Sequence, residues 1–285
     1  MTDFLQLLIY GVVLGSVLTL GAIGVSMIFG ILRFAHFAHG DFMTVGAYLA
    51  LACIGVGLPI AVALPAAMAG TAAVAVLIDQ VLYRRIRRTA PVILLISSFG
   101  MALVLRSAVQ LIWGPSNQVY QAGIQMPYLV GGLRISPNHL WILGGAVTLV
   151  AVMHLFLTRT RMGKAMRAMS DNMDLALVTG IPAERVIMWT WVLGGSLAAA
   201  AGVFLGMDTR LHPVMGWTTL LPVFAAAILG GIGRPYGAIA GGMIIGIAME
   251  LSTFFLLPAY KPAVAFAIMV VMLVVRPQGI FRGTL

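Results

Sequence analysis

The sequence predicts an all-α polytopic membrane protein with about eight to nine transmembrane helices, including short or re-entrant segments, N-terminus out and C-terminus in. Three observations carry that prediction. Of 285 residues, 61% are apolar and only 9% are charged, against roughly 25% charged in a soluble domain. Mean hydropathy is +1.05, so too little polar surface exists to cover a soluble core of this size. Apolar runs recur near the twenty-residue length that a bilayer core of about 30 Å demands, and the basic residues fall between them. This composition excludes a cytosolic enzyme and a disordered chain. Net charge is +9, but the basic residues sit as short runs between apolar stretches. They read as topology determinants, not as a nucleic-acid surface.

Taken in order, the apolar runs cover 4–32, 41–56, 59–82, 91–113, 140–158, 186–206, 218–233, 236–257 and 262–275. The first is too long for a signal-peptide core and has no basic residue before it, Asp3 being its only nearby charge. It is expected to remain as a membrane helix. Short runs within 30–56 and 218–257 are the candidates for re-entrant segments. Alternate gaps hold Arg33, Arg84, Arg85, Arg87, Arg88, Arg159, Arg161, Lys164, Arg167, Arg185, Arg234, Arg276 and Arg282, thirteen of the seventeen basic residues. The opposite gaps hold Arg134, Arg210 and Lys261, while Arg106 lies within a run. The excess assigns the first set to the cytoplasm. The whole chain, 1–285, reads as one membrane domain. Its single cysteine, Cys53, allows no intrachain disulfide.

Residues 162–178 form a short amphipathic pattern, with Met162, Ala165, Met166 and Met169 on one side and Gly180 and Pro182 as stop signals. A helix of this kind outside the bilayer on the cytoplasmic side needs either a protein partner or anionic lipid. His36, His39 and Asp41 are the most reactive-looking cluster. The His36-x4-Asp41 spacing matches a membrane-embedded glycerolipid acyltransferase motif, and the three groups have metal-ligand chemistry. The plainer expectation is structural: Asp41 caps a helix starting at Phe42, and Gly40 turns the chain.

Arg106 and Glu250 lie deepest in apolar runs, about 23 Å and 21 Å from the inner boundary at 1.5 Å per residue. Intramembrane charges face protein or water and often pair, so Arg106 and Glu250 are expected either to pair or to line one outer vestibule. The glycines of 225–246, with Gly230, Gly231 and Gly233 in a GGIGRP break, and the interruption at His39-Gly40-Asp41 mark broken helices in two halves. Such breaks point to a substrate path. His36, His39, Asp41, Arg106, Gly230, Gly231, Gly233 and Glu250 are therefore the candidate path residues. No phosphate-cradling loop is present: Gly163-Lys164 is followed by Ala165 and lacks the preceding glycine. A secondary transporter or channel acting alone is the other transport class.

Five ordered segments resemble a known family: 15–50 (GSVLTLGAIGVSMIFGILRFAHFAHGDFMTVGAYLA), 95–114 (LISSFGMALVLRSAVQLIWG), 160–186 (TRMGKAMRAMSDNMDLALVTGIPAERV), 221–251 (LPVFAAAILGGIGRPYGAIAGGMIIGIAMEL) and the ending RPQGIF at 276–281. Over essentially the full length the chain is similar to permease subunits of branched-chain amino acid ABC importers, the LivH/LivM family, and is closer to the LivH side. The resemblance implies a transport subunit of the bacterial inner membrane, not an enzyme, with no cofactor of its own. ATP-Mg would be bound by two cytoplasmic ATPase subunits. It also implies a second, LivM-like permease and a periplasmic substrate-binding protein, with membrane lipid around the bundle. The loop 159–185 would be the coupling segment inserted into the ATPase, with Gly163, Lys164, Arg167, Ala168, Asp171 and Gly180 as its residues. Loops 114–139 and 207–217 would dock the binding protein. Family members often carry Asn where His36 stands, and relatives import urea, short amides or aromatic acids, so an altered substrate is the alternative within the family.

Overall fold

The computed structural model describes residues 2–120, 126–281 and 283. Gln121, Gln125 and Arg282 fall outside the described residues. The chain is a helical bundle built around α1 (Thr2–Leu32). This helix is apolar all round, as expected of one buried on every side, and from Gly11 onward nearly every residue is buried. A break at residues 33–38 leads into α2 (His39–Gly55). Next comes α3 (Ile60–Ile78), extended by a π-helical turn, Asp79–Tyr83, and the short α4 (Arg84–Ile86). The peripheral α5 (Pro91–Trp113) packs mainly on α2.

A small antiparallel hairpin follows, β1 (Tyr128–Val130) with β2 (Leu133–Ile135), in which Leu129 pairs with Arg134. Then come α6 (Pro137–Arg159), the short α7 (Arg161–Asp171) and α8 (Met173–Val178), and α9 (Ala183–Asp208). Like α1, α9 is largely buried, and it packs on α1, α2 and α3. The chain closes with α10 (Met215–Gly230), α11 (Pro235–Ser252) and α12 (Lys261–Val275).

Seven of these helical stretches are long and apolar enough to cross a membrane, by length and composition. One shorter apolar helix, α10 with 16 residues, lies within a further predicted run, and the 17-residue α2 covers the run predicted at 41–56. The fold is therefore that of a multi-pass membrane protein. The bundle has two distinct ends. One gathers the arginine-rich turns 33–38, 84–90, 159–185, 231–234 and 276–281. The other carries the β-hairpin, where the Gln6 side chain donates to the Arg134 carbonyl at 2.9 Å and accepts from its N–H at 2.8 Å.

Three local expectations change. The first-half break lies at Arg33–Ala38, and His39, Gly40 and Asp41 are already the first turn of α2. Asp41 caps nothing: Ala38 precedes the helix and no side-chain cap bond forms. The 162–178 helix is two helices, because the Asn172 side chain accepts the Leu175 N–H at 3.0 Å and starts α8 afresh. The run Ser170-Asp171-Asn172 favours such local side-chain bonds over helix continuation. The stop after it is as expected, with Gly180 in the left-handed region at φ +84°.

Candidate functional site

The centre of the site is where α2, α5 and α10 meet. The α2 and α10 backbones touch at Gly40 and Gly216: a Cβ on either would overlap the other's carbonyl group. Only glycine permits this approach. The Thr44 hydroxyl then accepts the Gly216 N–H at 3.1 Å, satisfying one free donor of the α10 start. One residue beyond Gly40, the fully buried Asp41 carboxylate takes two hydrogen bonds from Arg106 of α5, at 3.1 and 3.2 Å. The Arg106 guanidinium also lies 4.8 Å from the Trp217 ring centroid. That contact adds a cation–π attraction, which strengthens when desolvated. Trp217 in turn meets the rings of Phe37 and Phe99 at 6.5 and 5.5 Å, and Phe37 meets Phe224 at 5.5 Å. The Phe37 N–H donates to the Ser98 hydroxyl at 3.1 Å, fixing the break against α5.

Arg106 therefore does not pair with Glu250. Glu250, in the last turn of α11, accepts from Lys261 at the start of α12 at 2.6 Å. That pair lines a cavity of about 770 Å³ at the hairpin end, together with Tyr10, Asn138, His139 and Asp208. Arg106 is not among its lining residues, so the shared vestibule is not formed either. Each charge has its partner on a helix in contact with its own, and a buried charge without one is costly.

His36 and His39 are enclosed. His36 is 1% exposed and makes edge contacts with both Tyr83 and Trp191, its Nε2 3.0 Å from the Tyr83 hydroxyl. His39 packs against α1, with Nε2 3.1 Å from the Gly21 carbonyl oxygen. With His36 enclosed and Asp41 held by Arg106, the acyltransferase reading has no acid–base pair open to a lipid. Among the described residues, no three His, Cys, Asp or Glu side chains gather as metal ligands.

Gly230 and Gly237 bring α10 and α11 into backbone contact, and Gly231 and Gly233 turn the chain between them at positive φ. The residues after α12 tuck under this turn: Ile280 and Phe281 donate their N–H groups to the Leu229 and Gly230 carbonyls at 2.9 and 3.2 Å. The two helix breaks are neighbours. Gly30 faces Gly233, and Ser170 of α7 faces both. The Arg33 guanidinium donates to the Ser170 carbonyl at 2.8 Å.

α7 is thus seated on both breaks. Thr160 caps it, accepting the Gly163 N–H at 2.9 Å, and Gly163 lies on the backbone of Phe156 and Leu157. Met166 and Met169 are buried beneath it, while Lys164, Arg167, Ala168 and Asp171 face outward. Asp171 lies 3.8 Å from Arg234. α8 adds Leu175 and Val178, which are 62% and 86% exposed.

A further cluster has no motif to announce it in sequence. Arg87 bonds Asp79 with two contacts of 2.9 Å and Glu184 with one of 2.9 Å, while Arg84 reaches Glu184 at 3.4 Å. These ties join the π-turn after α3 to the first turn of α9. Tyr83, in that π-turn, stacks on Trp191 of α9 at 5.2 Å. Tyr83 also contacts His36, so the start of α9 connects to the break before α2. The only sequence hints were an acid and a base eight residues apart and an acid just after Pro182.

This architecture is that of a multi-pass membrane protein, a bundle with broken helices carrying a short helical platform at its arginine-rich end. Residues 7–273 match the family described as the permease component of branched-chain amino acid transport systems. The chain belongs to that family. It is 36% identical to the high-affinity branched-chain amino acid transport permease LivH of Escherichia coli, over 97% of this chain and 95% of that protein. It is 34% identical to the permease BraD of Pseudomonas aeruginosa, over 97% and 95%. It is 29% identical to a probable LivH of Methanocaldococcus jannaschii, over 94% and 90%. The chain is accordingly a permease subunit of an ABC transporter, and ATP hydrolysis belongs to separate subunits.

Proposed function

We propose that the chain imports branched-chain amino acids across the bacterial inner membrane by alternating access, as a single permease domain spanning 1–285. The α7–α8 platform faces the cytoplasm and receives one of two ATPase subunits. A second, LivM-like permease covers the face formed by α2, α5 and α10, where Arg106, Trp217 and Thr218 are only partly buried or exposed. A periplasmic binding protein docks at the hairpin end, on the loops around 114–139 and 207–217. The N-terminus is then outside and the C-terminus inside.

The observation that carries this reading is the platform. Its Met166 and Met169 are buried, while Leu175 and Val178 of α8 and Lys164 and Arg167 of α7 are exposed. Exposed apolar residues rimmed by charge mark a protein contact. From there, ATPase closure pulls α7 against Arg33 and the Gly233 turn, and draws on α9 through Glu184, Arg87 and Asp79. The Tyr83–His36 contact passes that motion to the α2 break, beside Asp41, Arg106 and Trp217. His36 is enclosed, so its replacement of the family's usual Asn does not favour another substrate. Deleting residues 164–175 should abolish uptake and ATPase stimulation while membrane insertion stays normal. Unchanged stimulation in reconstituted vesicles would rule out the coupling role.

A further inference from the structure

A second cavity, of about 780 Å³, opens on the outside of the bundle between α3 and α9. Its walls include Ala69 and Ala73 of α3 and Met188, Val192 and Ser196 of α9, and Gln80 of the π-turn lies at its end. The floor is low because small residues meet there: a Cβ on Gly195 would touch Ala75 at 3.0 Å and Ala72 at 3.3 Å. Ser196 spends its hydroxyl on the Met68 carbonyl at 3.4 Å, leaving the lining almost wholly apolar. From Ala69 to Gln80 the groove runs about 17 Å at 1.5 Å per residue. One leaflet of a 30 Å bilayer core is about that deep.

The chain just beyond the Gln80 end of the groove is charged. Gln80 and Met188, which line the groove, each lie four residues from a charged one, Arg84 and Glu184, and these two meet at 3.4 Å just beyond the lining residues. Arg87 neutralises Asp79 and shares Glu184. Arg85 and Arg88 remain exposed and form no ion pair among the described residues. Four arginines against two carboxylates leave a surplus positive charge at the end of an apolar trough.

We propose that this groove binds one anionic glycerophospholipid, with an acyl chain between α3 and α9 and its phosphate on Arg85 and Arg88. The lipid tail fills a trough that no helix of this chain covers, and the headgroup supplies the missing negative charge. Bound there, it lies across the same two elements, the π-turn and the first turns of α9, that the Arg84–Glu184–Arg87–Asp79 cluster ties together.

The test is native mass spectrometry of the full-length chain in mild detergent, titrated with phosphatidylglycerol or with phosphatidylcholine of identical acyl chains. The wild-type chain should retain phosphatidylglycerol preferentially. Arg85→Gln with Arg88→Gln, both at exposed positions, should lower that preference roughly tenfold or more, since each basic group near an anionic headgroup contributes to binding. Ala69→Trp with Ala73→Trp should reduce retention of both lipids. Equal retention of the two lipids by the wild-type chain overturns the proposal, as does a preference that survives the double arginine change. A disulfide between a cysteine placed at Ala69 and a helix of a second permease overturns it too, because protein would then fill the groove.

Discussion

Asp41 and Arg106 place a full pair of charges beside Trp217, whose ring meets Phe37 and Phe99 in turn. Removing one partner from such a pair strands the other, at a typical cost of about 3–5 kcal/mol, while removing both is far cheaper. Arg106→Ala should therefore lower the thermal unfolding midpoint in detergent more than the combined Asp41→Ala, Arg106→Ala change does. A double variant no more stable than the single one would mean the pair is not what holds α5 to α2. At Gly216 the constraint is steric. Alanine there would overlap the Gly40 carbonyl, so Gly216→Ala should cut uptake at least roughly tenfold or prevent stable insertion, overpacked sites of this kind costing typically 1–3 kcal/mol. Gly144→Ala, where a Cβ meets nothing within 4 Å, should behave as wild type in the same uptake measurement.

At the scale of elements, the long helices were legible in the sequence because lipid imposes one length and one composition on them. The run predicted at 91–113 became α5 with the same ends, and 140–158 lies inside α6. The breaks were less legible. The His39-Gly40-Asp41 stretch looks like an interruption but begins α2, because Asp41 serves Arg106 and not the helix end. Arg106 and Glu250, expected to pair or to line one vestibule, lie at similar depth, but depth says nothing of azimuth around the bundle. The Asp79–Arg87–Glu184 cluster stayed hidden for a related reason: Glu184 lies 97 residues from Arg87 and no motif links them. That cluster makes a prediction of its own. Arg87→Ala leaves Asp79 buried without its partner and frees α9 from the π-turn. Uptake should fall more than ATPase stimulation does, because α7 and α8 remain seated on Met166 and Met169. An equal loss of both activities would place Arg87 in general stability and not in the connection between elements.

For the whole molecule, the arginine count predicts an orientation, and the described contacts gather the arginine-rich turns at one end. A thiol introduced at Val178, 86% exposed, should react with an impermeant reagent only in inside-out vesicles. One at Met126, 83% exposed, should react in spheroplasts. The reverse labelling pattern would invert the molecule and with it the sites proposed for the ATPase and the binding protein. What composition cannot provide is the path itself. It depends on backbone contacts, such as Gly40 on Gly216, between segments far apart in the chain.

The sequence separation of 65 from Asp41 to Arg106 also sets a schedule. At a ribosomal pace of about 5–20 residues per second, the carboxylate precedes its guanidinium by on the order of 3 to 13 s. Throughout that interval α2 carries an unmatched acid beside the insertion machinery, and only the arrival of α5 discharges it. Biogenesis of this permease is therefore expected to hold the first hairpin back from lipid until its third long span, α5, is made.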